Sequence, residues 1–337
     1  MNPTPRDGDV VALAARLMEI DSTSGREGPV IDWLENYLSG GDWLVRRIPV
    51  SPGRDDLLAT HGESPQITFS THLDTVPPFI QPRLEGDRLW GRGACDAKGI
   101  AAAMIMAAEQ LHADGVPVAL LFVVGEEVSH DGAAAANRVQ TTSRVLVNGE
   151  PTESTLAIGT KGAMRFTLRT RGTAAHSAYP HLGRSATADL VRLLAELESL
   201  VLPSDPDLGP TTINIGVIGG GVADNVMAPA AEARLMARLV TEPEIARTLL
   251  RDWVGERAEL EFGVTVPAVR LRTLDGFPTS VAAYATDIPQ LTAWGTPYLY
   301  GPGSIHVAHR DDEHVAVPEL RAAVGAYVEI ARRALAS

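Results

Sequence analysis

The sequence predicts an α/β chain: a mostly parallel sheet covered by helices, interrupted by a smaller inserted ferredoxin-like α+β segment. Two observations carry this. Runs such as "PQITFST", "PVALLFVV" and "SRVLVN" alternate with helical stretches, and strands apolar throughout belong to a sheet covered on both faces. From Gly162 to about residue 269 the strands instead alternate polar and apolar residues, as in an antiparallel sheet with one wet face.

The elements follow in order. "DVVALAARLMEID" places Val10, Leu13, Ala14, Leu17 and Met18 on one helical stripe. A second amphipathic helix, "GPVIDWLENYLSGG", stops at Gly40-Gly41. Then come the strand "PQITFST", the helix "AKGIAAAMIMAAEQLHADG", the strand "PVALLFVV", the Ala-rich helix "DGAAAANRV" and the strand "SRVLVN". The middle reads as strand, helix, strand, strand, helix, strand: "AMRFTLRTRG", "SATADLVRLLAELESL", "TTINIGVIGG", "AEARLMARLV", "EPEIARTLLRDWVG" and "AELEFGVTV". That order is the ferredoxin-like unit. "TPYLYGPG" and the helix "PELRAAVGAYVEIARRALAS" close the chain. Residues 1–161 and 270–337 are therefore expected to form one discontinuous domain, and 162–269 an inserted one.

Composition narrows the function. A 45% hydrophobic content in 337 residues supplies a sizeable core, yet no apolar run reaches the roughly 18 residues of a membrane span. "MNPTPRDGDV" lacks a basic stretch followed by an apolar one, so no secretory leader is expected. The single cysteine, Cys95, excludes an internal disulfide and suits a reducing, cytoplasmic setting. A net charge of −13 argues against nucleic acid and anionic membranes as partners. It also allows that acids are gathered somewhere to hold cations.

Five segments deliver histidine or carboxylate to one sheet edge. His72 and Asp74 follow "QITFST"; Asp96 sits in "GRGACDAKG"; Glu126 and Glu127 follow "ALLFVVG"; Glu150 follows "RVLVNG"; His309 lies in "GPGSIHVAHRDDE". In open α/β sheets, ligands bind beyond the carboxyl ends of the strands. Each segment has a plainer reading. His72 and Asp74 could share a turn hydrogen bond, Glu126-Glu127 could open a solvated helix, and Glu150 before Pro151 could be a turn residue. His306 rivals His309, and Cys95 reads as a small packed residue rather than a thiolate ligand. "GRGACD" is similar in outline to a dinucleotide loop, but Asp96 stands where the third glycine belongs and would repel a pyrophosphate. Chance explains one or two such placements, not five.

At this point the chain resembles the M20 metallopeptidase and deacylase family, which includes acetylornithine deacetylase, succinyl-diaminopimelate desuccinylase and carboxypeptidase G2-like enzymes. The motifs are "STHLDTVP", "WGRGACDAKG", "VVGEEVSHDGA", "VNGEPTE", "GTAAHSAYPHLGRSA", "ADNVMAPAAEARLMARL" and "GPGSIHVAHRDDEHV", in family order from about residue 10 onward. The resemblance implies a catalytic domain of zinc-peptidase type holding two Zn2+, with Co2+ or Mn2+ as substitutes. It implies His72 and His309 as ligands of one ion each, Asp96 as the bridge (often followed by a cis peptide), and Glu127 and Glu150 as the remaining ligands. Glu126 would be the general base and Asp74 the acid that orients His72. His176 would reach the active site from a partner subunit, so that 162–269 acts as a dimerisation lid. Asn225, Arg238 and the Gly301–Gly303 turn, Gly303 included, would contact substrate. Ser185, where asparagine is common, and the "NVMAP" spacing depart from the family pattern around that pocket.

The physical chemistry agrees with this set. Two divalent ions held close together need a bridging carboxylate to offset their repulsion, and two imidazoles with three carboxylates suit zinc. The expected function is a dizinc amidohydrolase removing an acyl group from an N-acyl amino acid, in the manner of acetylornithine deacetylase. A metal-dependent dipeptidase or carboxypeptidase is the alternative. A non-catalytic binding protein on the same fold would have lost its base, and Glu126 is present. A nucleotide-dependent oxidoreductase has no intact phosphate loop.

Overall fold

The computed structural model describes residues 9–337; the opening "MNPTPRDG", part of the stretch read for a leader, lies outside them. The chain divides into two compact units. One runs up to Ile158 and resumes over Leu271–Ser280 and Thr286–Ser337; the other comprises Gly159–Arg270 and Val281–Ala285.

The first unit is built on a six-stranded sheet. Its strands run in the order Leu44–Ser51, Arg54–His61, Val118–Val123, Ile67–His72, Val145–Asn148, Thr296–Leu299. The last four are mutually parallel, while the first two pair antiparallel at one edge. The apolar strand runs supply the parallel part. The antiparallel edge was not anticipated, because "LVRRIPVS" and "RDDLLATH" carry too many charges to read as buried strands.

A period of two sorts the strand side chains between two cores. Leu57, Phe69, Leu120, Phe122 and Val147 join the helices Val10–Met18, Lys98–Ala113 and Val317–Ala336 in the larger cluster. Leu58, Leu121, Val123 and Leu146 face the opposite way, onto Ala133, Ala136 and Trp294. The short helix Asp131–Ala136 stops before the "NRV" that the sequence reading had included. Among the described residues no helix is long and apolar enough to cross a membrane.

The second unit is a four-stranded antiparallel sheet ordered Thr212–Gly220, Ala230–Leu239, Gly162–Arg171, Glu259–Val266. The helices Ala186–Ala195 and Pro243–Val254 share a small core with its inner face: Met164, Phe166, Leu168, Ala233, Leu235, Leu190 and Leu250. This is the ferredoxin-like order of strands. Thr212–Gly220 is an edge strand that leaves Ile215, Val217 and Ile218 exposed.

Candidate active site

The parallel strands aim their carboxyl ends at one place. Ile67–His72 is buried along its whole length and ends on His72, with Asp74 two residues beyond. Val118–Val123 runs into the turn that carries Glu126 and Glu127. Gly125, at φ +77°, begins that turn, and a Cβ there would lie 2.3 Å from Asp131 Oδ1 and 2.5 Å from Arg54 Nη2, so only glycine fits. Val145–Asn148 delivers Glu150. Asp96 precedes the helix Lys98–Ala113, and its peptide bond to Ala97 is cis.

The carboxylate of Asp96 is shared between the two histidines. Its Oδ1 lies 2.9 Å from His72 Nε2 and its Oδ2 3.2 Å from His309 Nε2. His309, held at φ +65°, also places Nε2 3.1 Å from the Glu127 carboxylate. One ligand atom each from His72, Asp96 and Glu127 fall within 4.8 Å of one another. Glu150 is 4% exposed and lies close enough for its charge to act on His72 and Glu126.

His72 donates its Nδ1–H to the main-chain carbonyl of Asp74 at 2.9 Å, while the Asp74 carboxylate is 3.5 Å away. That hydrogen bond makes Nδ1 a donor and turns Nε2 toward Asp96, the ring atom a cation there would take. Besides facing the His72 ring, the Asp74 carboxylate serves three other groups. It accepts the N–H of Glu126 at 3.1 Å, the N–H of Glu127 at 3.2 Å and the hydroxyl of Ser24 at 2.8 Å. Asp74 thus ties the histidine strand to the Glu126-Glu127 turn.

The electrostatics are those of a site built for positive charge. Burial, then the charge of Glu150, pushes the Glu126 carboxyl well above its usual range. Burial also raises Glu150 and Glu127, helped in each case by Asp96 and opposed by a histidine. Asp96 goes the other way: burial would raise it, but His309 and His72 outweigh burial and hold it low. Its partner His309 is pushed up to about 10 by Asp96 and Glu127. Gathering five carboxylates out of water is unfavourable unless cations join them. The donor set of two imidazoles and clustered carboxylates therefore fits divalent metal ions.

Three of the residues singled out in the sequence lie outside the first unit. His176, Asn225 and Arg238 belong to the second unit. There His176 is exposed and accepts the Ala178 N–H on Nδ1, while the Asn225 carbonyl accepts from Ser177. In the Gly301–Gly303 turn, expected to contact substrate, Gly301 donates its N–H to Thr152 Oγ1 and Gly303 to Glu319 Oε1. Cys95 is buried and His306 exposed. Sequence reasoning missed Ser24, Arg92 and Glu313. The last two stand inside the quoted motifs, but nothing in "GRGACD" or "RDDEH" marks a charged side chain as buried.

Paired imidazoles and clustered acids at the carboxyl edge of a mixed α/β sheet define the class as a metallohydrolase. The comparisons then fix the family. The profile described as Peptidase family M20/M25/M40 matches residues 68–333. A "Peptidase M20 domain-containing protein" of Schizosaccharomyces pombe is 38% identical over 336 residues, covering 96% of this chain and 84% of the relative. A "Probable carboxypeptidase" of Aspergillus clavatus is 37% identical, with 95% and 81% covered. Among solved structures, a tripeptidase from Staphylococcus aureus superposes with a TM-score of 0.83 at 19% identity, covering 96% and 97% of the two chains. The chain belongs to peptidase family M20, whose members are metal-dependent hydrolases of amide bonds.

Proposed function

We propose that this protein is a metal-dependent carboxypeptidase or dipeptidase, hydrolysing an amide bond beside the free carboxylate of a small peptide. One observation carries the reading: the Asp96 carboxylate faces a histidine with each oxygen, the pose of a bridge between two cations. The deacetylase expectation rested on the "GPGSIHVAHRDDE" stretch. Relatives named as probable carboxypeptidases favour the peptide-cleaving alternative, which uses the same chemistry.

His72, Asp96 and Glu150 would hold one ion, and His309, Asp96 and Glu127 the other; the nitrogen–oxygen donor set suits zinc. When bound, such ions supply Lewis acidity to a water and to the scissile carbonyl. The remaining steps fall to the chain's own side chains. Glu126, adjacent to a ligand, accepts the proton of the attacking water as its oxygen bonds to the carbonyl carbon. Glu126 then returns that proton to the amide nitrogen as the C–N bond breaks. Asp74 keeps Glu126 and Glu127 in place through their N–H groups.

From the second unit, Arg238 is suited to a substrate carboxylate through bidentate hydrogen bonds, and Asn225 would be a further substrate contact. The partner subunit's His176 would donate to the developing oxyanion. Residues 162–269 would then serve for dimerisation, for which the exposed edge strand Thr212–Gly220 supplies unpaired backbone groups. The test is metal analysis with a hydrolysis screen over dipeptides, N-acetyl-ornithine and N-succinyl-diaminopimelate, before and after chelation. Peptide cleavage that chelation abolishes and Zn2+ restores supports the reading; cleavage of the acyl amino acids alone would return it to a deacylase.

A further inference from the structure

We propose that the buried ion pair Arg92–Glu313 is a positioning element that locks Asp96 and His309 to one another. The proposal rests on the reading of those two residues as cation ligands. They lie far apart in sequence, yet Arg92 stands four residues before Asp96 and Glu313 four residues after His309. Both charged side chains are 1% exposed and meet at 2.7 Å, Arg92 Nη1 to Glu313 Oε2.

Each partner also grips the other's ligand turn. Glu313 Oε1 accepts the backbone N–H groups of Cys95 and Asp96, both at 3.3 Å, so it holds the Asp96 turn directly. Arg92 Nη1 donates a further bond to the carbonyl of Arg310, the residue after His309, at 3.1 Å. Its Nε donates to the carbonyl of Pro78 at 3.3 Å. A main-chain bond from the Gly91 N–H to the Glu313 carbonyl, 3.0 Å, runs alongside. The segments 91–96 and 309–313 are thus joined by five hydrogen bonds.

Stability alone does not explain the pair. A buried ion pair is often matched or bettered by apolar side chains of similar volume. This one is not even fully satisfied, since Arg92 Nη2 is buried without a hydrogen-bond partner. What an apolar replacement could not do is accept two N–H groups on one oxygen while fixing a second turn through a forked donor. The role left to the pair is geometric.

The experiment uses the full-length, metal-free protein titrated with Zn2+ by calorimetry, with kcat and KM measured on a cleaved dipeptide. Arg92→Lys keeps the charge pair, and so the fold, but a point charge cannot reach Glu313, Arg310 and Pro78 together. Groups that hold metal ligands in place typically contribute 10–100-fold in metal affinity. Arg92→Lys should therefore bind Zn2+ about 10–100-fold more weakly, with kcat lowered and KM unchanged, because neither residue touches substrate. The double variant Arg92→Met/Glu313→Gln removes both buried charges while keeping an acceptor for the two N–H groups. It should melt above Glu313→Gln alone, yet still bind Zn2+ weakly. Wild-type Zn2+ affinity in either folded variant would overturn the proposal. Wild-type protein that takes up no Zn2+ would overturn the cation reading beneath it.

Discussion

Replacing Glu126 by glutamine separates its catalytic role from its structural one. The side chain is 12% exposed and faces Glu150, His72, Asp287 and Glu127. Its own charge is therefore unwelcome in the fold: burial and Glu150 both favour the protonated form. An isosteric neutral amide removes that conflict, so the metal-free variant should be at least as thermally stable as wild type. The reaction should suffer the opposite fate. Proton transfer by a positioned side chain is worth about 10²–10⁴ in rate, or about 2.7–5.5 kcal/mol of barrier. The assay is kcat on a cleaved dipeptide, with bound zinc and melting temperature measured on the same samples. A variant holding its full zinc complement and turning over within about tenfold of wild type would refute the assignment of Glu126 as the base. A variant that lost zinc instead would make Glu126 a ligand.

Other expectations follow from the same structure. Burial pushes the pKa of Asp56 up to about 8, with Asp287 and Asp131 adding to it and the Val124 N–H opposing. Its folded pKa lies above its unfolded one, so its contribution is full below about pH 4 and is lost as pH rises through about 8, at up to ~1.4 kcal/mol per pH unit. Melting temperatures from pH 5 to 9 should fall more steeply in wild type than in Asp56→Asn. Gly132→Ala would place a methyl group 2.3 Å from the Val124 carbonyl oxygen and 2.6 Å from Asp56 Oδ1. Backbone must move to admit it, a loss of roughly 3 kcal/mol visible in urea unfolding. If residues 162–269 dimerise as proposed, Ile218→Lys on the Thr212–Gly220 edge should give monomers in light scattering; Ile218 is 56% exposed, so any fall in melting temperature should come from lost association alone. Chelation should lower the melting temperature, because a ligand at a hundred times its dissociation constant adds about 2.7 kcal/mol.

The site was legible in the sequence where chemistry and punctuation coincide. His72, Glu126, Glu127 and Glu150 each follow an apolar strand, at the only end of a parallel sheet where polar groups can converge. What holds them there was not legible. Arg92 and Glu313 read as solvent-facing charges until the fold buries them against each other. The same holds for Arg54, which sits between Glu27 and Asp131 in a network under the Gly125 turn. The edge strands Leu44–Ser51 and Arg54–His61 went unread for this reason: their Arg47 and Arg54 are paired rather than solvated. Asp74 was found with His72, but its bonds to the Glu126 and Glu127 N–H groups were not, because main-chain N–H groups leave no trace in a residue pattern.

The route of the chain through its two units bears on biosynthesis. The Leu271 N–H bonds to the Ile158 carbonyl at 2.9 Å, so the polypeptide leaves the first unit and re-enters it at almost the same point. The last parallel strand, His309, Glu313 and the closing helix Val317–Ala336 all come after that return. On a ribosome, the second unit can finish folding while the first still lacks its edge. His309 therefore joins His72, Asp96 and Glu127 only after the second unit has been synthesised, so the candidate site cannot assemble before that return.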